Sequence, residues 1–119
     1  CVGIEKAKAR SHCQDYFCLD ISKVDPPRRY DFITLIHTIE HFNDPFAVLD
    51  RCLRFADEAV YISTPYGEKF EDPRLYWKGE HRYLFDEKTF KEYHGAVLKI
   101  TDLIPETKAR HILYKITPK

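Results

Sequence analysis

The residues with the clearest chemical potential are two histidines and a glutamate, His37, Glu40 and His41, in an H-x-x-E-H arrangement. On a helix, histidines four positions apart face the same side, where they can bind zinc while the glutamate acts as the base of a metal-assisted hydrolysis. The same residues directly follow a strand-like apolar run at residues 30–36. The alternative is that they lie at the rim of a ligand crevice, where a strand ends.

The neighbouring elements favour the strand end. The run YDFITLI, residues 30–36, is nearly all apolar and rich in aromatic and β-branched residues, which predicts a strand buried on both faces, as in a parallel sheet. Asp44 can cap a helix whose first position is Pro45. The H-x-x-E-H segment is then little more than one turn between a strand and a new helix. A metal site on so short a piece would be poorly held, so a zinc peptidase is the weaker hypothesis.

The rest of the chain alternates between strands and helices. We predict strands at CVGIE (1–5), QDYFCLDIS (14–22) and EAVYIST (58–64), a helix at FDEKTFKEYH (85–94) and a closing antiparallel hairpin in the tail. Residues 66–85 are rich in aromatic and charged residues without clear periodicity, which predicts a long surface loop. This order indicates a single α/β domain over residues 1–119 with a mostly parallel sheet, and ligands bind such sheets outside the carboxyl ends of the strands.

Composition narrows the class of protein. Lys plus Arg equals Asp plus Glu at 19 each, so the net charge gives no argument for a nucleic acid or membrane partner. No apolar run approaches the roughly 20 residues that span a bilayer, and the start shows no signal-peptide pattern. The four cysteines form no C-x-x-C pair, which predicts reduced thiols in a cytoplasmic protein. The absence of methionine and the abrupt apolar start indicate a fragment truncated at its N-terminus.

An ordered set of motifs resembles a known family. The run YDFITLIHTIEHFNDPFAVLDRCLRFADEAVYISTP, followed later by HRYLFDEKTF, is similar to the C-terminal two-thirds of class I S-adenosylmethionine-dependent methyltransferases. The resemblance implies a Rossmann-like fold, S-adenosylmethionine as cofactor, and methyl transfer to an oxygen or nitrogen of a small-molecule or sugar acceptor. The family's first strand, first helix and Gly-rich turn have no counterpart here, because the four glycines are too far apart to form G-x-G. A catalytically inactive, methyltransferase-like binding module is therefore the alternative.

The resemblance also implies roles for individual residues. Glu5 would bind the ribose hydroxyls, Asp20 would accept from the adenine amino group, and Ile21 would pack on the adenine ring. His37 would lie near the methionine end, and a general base would come from His41 or His81. A set of His37, Glu40, His41 and His81 holding a divalent metal is a further option that we do not adopt. An aromatic loop would cover the site: Tyr66, Phe70, Tyr76, Trp77 and Tyr83.

Overall fold

The computed structural model describes residues 2–10, 15–67, 83–104 and 109–118. Two α-helices, two 3-10 helices and four strands make up its regular structure. They are α1 (Val2–Arg10), β1 (Tyr30–Ile36), a first 3-10 helix (Ile39–His41), α2 (Pro45–Phe55), β2 (Ala56–Tyr66), a second 3-10 helix (Lys91–Tyr93), β3 (Ala96–Ile104) and β4 (Ala109–Ile116). Within these ranges no helix has the length and apolar character needed to cross a membrane.

The strands form one sheet in the order β1-β2-β4-β3. β1 and β2 are parallel, whereas β4 runs antiparallel to both of its neighbours, β2 and β3. Three of the four strands therefore point in one direction, and the predicted C-terminal antiparallel hairpin is confirmed. The carboxyl ends of β1 and β2 meet the start of β4 at one edge of the sheet, which is the edge predicted to bind a ligand.

Helix α2 begins where the sequence predicts. The Asp44 side chain accepts a hydrogen bond from the backbone N–H of Ala47 at 3.0 Å, and Pro45 takes the first helical position. The helix then buries Val48, Leu49 and Cys52 against the sheet. This contact and the inner face of β2 and β4 form the hydrophobic core.

The predicted burial of β1 on both faces is wrong. Of its residues only Leu35 is buried, whereas the side chains of Phe32 and Ile36 are 54% and 65% exposed. The reason is position, because β1 is an edge strand of the described sheet and α2 covers only the face that carries Leu35.

Two predicted strands near the N-terminus are also wrong. Val2–Glu5 of the CVGIE run lie in α1, which has no buried residue, and residues 15–20 adopt no regular structure. A strand needs a neighbour to bond its backbone, whereas a helix satisfies its own. The Glu-Lys-Ala-Lys-Ala-Arg stretch consists of good helix formers, so a self-sufficient helix forms there.

The predicted helix at residues 85–94 is only a turn followed by a 3-10 helix. Asp86 does cap it, since its Oδ1 accepts from the Lys88 N–H at 2.8 Å, and Phe85 contacts Phe90 with ring centroids 5.7 Å apart. The segment ends at once because His94 adopts a left-handed conformation with φ of 53°. Burying both phenylalanines against the core takes precedence over continuing a short helix.

The prediction of four reduced cysteines is wrong for Cys18, which is disulfide-bonded. Cys52 is free and buried, and its desolvation raises the pKa of the thiol to about 11. Its place in the core makes Cys52 a packing residue.

Candidate functional site

The site begins where β1 ends. His37 has φ of 45°, in the left-handed region that residues other than glycine seldom adopt. Its backbone N–H donates to the Ser63 carbonyl at 2.8 Å, which continues the pairing of β1 with β2 beyond Ile36. The Thr38 hydroxyl donates to the Ile36 carbonyl at 2.8 Å. These bonds hold His37 at the carboxyl end of the strand, as predicted.

The Glu40 carboxylate lies between two imidazoles. Its side chain is buried, whereas the side chains of His37 and His41 are 35% and 41% exposed. Glu40 Oε1 is 3.9 Å from His37 Nδ1 and 3.9 Å from His41 Nε2. A buried carboxylate is costly without nearby compensating groups, and a protonated imidazole on either side supplies a countercharge. The arrangement therefore places two imidazoles, each able to donate an N–H, beside one buried carboxylate.

A third histidine belongs to the same site and was missed by the sequence analysis. His111 lies on β4 opposite Pro65, and its ring centroid is 5.8 Å from that of His37, edge-on. His111 Nδ1 is buried and has no hydrogen-bond partner among the described residues. No local sequence pattern identifies it, because His111 reaches the strand ends only through the pairing of β4 with β2.

A second polar group lies at the end of β2. The Tyr66 hydroxyl donates a hydrogen bond to the Glu87 carboxylate, and the Arg110 guanidinium lies 5.0 Å from the centre of the Tyr66 ring. This hydrogen bond lowers the pKa of Glu87 below its ordinary value and raises the pKa of Tyr66. At neutral pH Glu87 is therefore a charged acceptor, and Tyr66 is a protonated donor.

The residues predicted to bind the nucleoside do not lie at the ends of strands. Glu5 is exposed in α1. Asp20 closes a turn, because its Oδ1 accepts from the Ser22 N–H at 3.0 Å and from the Ser22 hydroxyl at 2.6 Å, and these bonds lower the pKa of Asp20. Ile21 packs against the core and lines an apolar cavity of about 290 Å³ together with Cys52. The predicted strand positions are wrong, and the three cofactor contacts stay predictions.

His81, the other predicted base, lies outside the described residues, as do Phe70, Tyr76 and Trp77 of the aromatic loop. Tyr83, which is described, packs edge-on against Phe46 with ring centroids 5.5 Å apart. The roles of these residues in catalysis or in covering the site stay predictions.

The helix that the zinc peptidase hypothesis requires is absent. His37 is left-handed and precedes the first 3-10 helix, so His37 and His41 do not share the face of one α-helix. In the part of the chain that the structure describes, no group of three or more His, Cys, Asp or Glu residues is placed to hold a metal ion. The H-x-x-E-H segment instead lies just beyond the carboxyl end of β1.

Comparisons with known proteins agree with this arrangement. The structure is similar to the crystal structure of the N-terminal domain of EvdMO1 in the presence of SAH and D-fucose, with a TM-score of 0.57 and 13% sequence identity over 85% of this chain and 53% of that chain. The α/β Rossmann-like fold is confirmed. A stretch of 38 residues, 32% of this chain, is 42% identical to a ubiquinone biosynthesis O-methyltransferase from Rhodopseudomonas palustris (strain BisB5). The resemblance to class I methyltransferases is thus confirmed.

These similarities cover only part of each relative. The chain spans about half the length of the EvdMO1 chain, and the matched stretch is 15% of the O-methyltransferase. No protein-family model matches the chain. The methyltransferase resemblance therefore establishes the fold, whereas the activity has to be argued from the site.

Proposed function

We propose that the chain is part of an S-adenosylmethionine-dependent methyltransferase that methylates an oxygen or nitrogen of a small-molecule or sugar acceptor. The observation that carries the proposal is the meeting of His37, Glu40 and His41 at the carboxyl end of two parallel strands. The O-methyltransferase match supports the reaction class. The SAH and D-fucose in the similar crystal structure support the cofactor and a sugar acceptor.

The strand end fits the positively charged part of the cofactor. When bound, S-adenosylmethionine supplies a methyl group that is already activated for transfer. Glu40 is a buried carboxylate at this edge, and a negative charge in a site of low dielectric attracts a nearby cation more strongly than it would in water. His37 and Glu40 would therefore hold the sulfonium side of the cofactor. The exposed helix position of Glu5 and the turn position of Asp20 offer no comparable support for the nucleoside side.

His41 can act as the base for a hydroxyl acceptor. Its imidazole is partly exposed, and its Nε2 faces the Glu40 carboxylate at 3.9 Å. When Nδ1, on the other side of the ring, takes the proton of the acceptor hydroxyl, the resulting imidazolium lies beside that carboxylate and is stabilised by it. The deprotonated acceptor oxygen would then be the nucleophile toward the methyl group that bound S-adenosylmethionine would supply. Holding the acceptor oxygen, the methyl carbon and the sulfur in line lowers the activation free energy further, by up to about 7–11 kcal/mol in favourable cases.

Calorimetric titration of the full-length protein with S-adenosylhomocysteine tests the cofactor assignment. We expect saturable one-to-one binding, and absence of binding would contradict the proposal. His41→Gln should retain this binding while abolishing release of S-adenosylhomocysteine from S-adenosylmethionine in the presence of candidate hydroxyl acceptors. His94→Asn is the matched control, because His94 is exposed and left-handed, where asparagine is well tolerated. Weakened binding in Glu5→Ala would support the predicted ribose contact, and unchanged binding would remove it.

A further inference from the structure

We propose that His111 is a positioning residue of this site, and that its ring favours the orientation in which the His37 imidazole lies beside the Glu40 carboxylate. The inference rests on the proposed function, in which His37 and Glu40 hold the sulfonium side of the cofactor, and it deepens that function by naming a residue that prepares them. His111 acts through His37 rather than on the reacting atoms.

The two imidazoles come from strands that are not neighbours. His37 follows β1 and His111 belongs to β4, and β2 lies between these two strands in the sheet. Adjacent strands are about 4.8 Å apart, so the backbones of β1 and β4 are separated by about 10 Å. The ring centroids of His37 and His111 are nevertheless only 5.8 Å apart. The two side chains therefore reach toward each other across the carboxyl end of β2, where His111 pairs with Pro65.

The contact lies on the face of the sheet opposite the hydrophobic core. Along β4 the alternate residues Ile112, Tyr114 and Ile116 are buried in the core. Successive side chains of a strand point to opposite faces, so His111 projects from the other face. His111 thus supports the His37 ring from a direction that α2, which packs on the core face, does not.

The geometry of the contact favours one orientation of His37. The two ring planes are inclined at 68°, and edge-to-face pairs of this kind attract one another beyond the area that they bury. The staggered rotamers of a partly exposed histidine send its ring in different directions, and the contact selects the one that meets His111. In that same orientation Nδ1 of His37 is 3.9 Å from Glu40 Oε1.

His111 contributes through its ring rather than through a hydrogen bond. Its Nδ1 is buried and has no hydrogen-bond partner among the described residues, and a buried polar atom without a partner costs free energy. Phenylalanine at this position would keep a planar ring and remove that atom. We therefore expect His111→Phe to preserve the role of this residue and the aliphatic His111→Leu to lose it.

Side-chain NMR of the full-length protein without ligand tests the positioning directly. In the parent protein we expect a nuclear Overhauser effect between the ring protons of His37 and those of His111. The corresponding effect should persist between His37 and the new ring in His111→Phe. In His111→Leu the His37 ring signals should instead move toward those of the exposed His94. Lys115→Ala is the matched control, because Lys115 lies on the same face of β4 but four residues, or about 13 Å, away from His111.

Calorimetric titration then tests whether this orientation matters for the cofactor. We expect His111→Leu to bind S-adenosylmethionine about two- to tenfold more weakly, which is the range that one aromatic pair supplies. The loss should be smaller for S-adenosylhomocysteine, because its sulfur carries no positive charge, whereas general damage to the fold would weaken both ligands equally. His111→Phe and Lys115→Ala should bind both ligands like the parent protein. His111→Thr, which keeps a strand-forming residue, replaces His111→Leu if the latter does not unfold cooperatively.

Three outcomes would overturn the inference. They are absence of the Overhauser effect between His37 and His111 in the parent protein, equal behaviour of His111→Phe and His111→Leu, and equal losses for the two ligands in His111→Leu. Failure of the parent protein to bind either ligand would instead contradict the proposed methyl transfer, and the NMR result would still decide whether His111 positions His37.

Discussion

Replacing Tyr114 by phenylalanine should destabilise the protein by a small, definable amount. Tyr114 is 1% exposed, and its hydroxyl donates to the Asp86 carbonyl at 2.7 Å. The edge-on packing of its ring against Phe90, with centroids 4.7 Å apart, is retained in the variant. The Asp86 carbonyl also accepts from the Thr89 N–H at 3.3 Å, so it is not left without a partner. The loss is therefore that of one ordinary hydrogen bond, about 1 kcal/mol.

The expected change can be measured by thermal and urea denaturation. An unfolding entropy of about 2.1 cal/mol/K per residue over 119 residues converts 1 kcal/mol into a fall in Tm of about 4 °C. Tyr61→Phe is the control, since the ring of Tyr61 makes its contacts with Phe32 and Lys115. If the two variants unfold at the same temperature, the hydrogen bond from Tyr114 to Asp86 does not stabilise the protein, and the reasoning is refuted.

Three other predictions concern a helix cap, a carboxylate and a thiol. Asp44→Ala should cost about 1 kcal/mol in urea denaturation because the cap on the Ala47 N–H is lost, while Asp44→Asn should cost little; equal losses would contradict the capping role. Tyr66→Phe should raise the pKa of Glu87 in an NMR titration, since the hydrogen bond from Tyr66 lowers it. The stability from that bond is present above the ordinary carboxyl pKa and is lost as the pH falls through the folded pKa. Cys52, with a pKa of about 11, should resist iodoacetamide at about pH 8 in the folded protein and react once unfolded, as peptide mapping would show.

The elements that could be predicted from the sequence carry more than one consistent signal. Helix α2 has a capping residue, a proline at its first position and an apolar stripe, and β1 and β2 are long runs of strand-forming residues. The two failed strands at the N-terminal end were inferred from short apolar runs alone, and such runs do not distinguish strand from helix. Whether they become strands depends on a neighbour that pairs with them, and pairing is not encoded locally.

The residues of the candidate site also differ in how far the sequence predicts their positions. His37, Glu40 and His41 lie within five residues of sequence, so their clustering at a strand end followed from one correctly predicted strand boundary. His111 and Arg110 reach the site only through the register of β4 against β2, which no local pattern specifies. The link between Tyr66 and Glu87 spans 21 positions of sequence and likewise depends on tertiary packing.

The left-handed backbone at His37 determines how this residue can move. Its peptide N–H is tied to Ser63, which fixes the peptide plane at the end of β1, so a change of φ would move the segment that follows His37. The imidazole, in contrast, is partly exposed and turns about its own side-chain torsions, which in exposed residues occurs in picoseconds to nanoseconds. A ligand at this point therefore meets a Cα atom held against β2 and an imidazole that adjusts through its side-chain torsions.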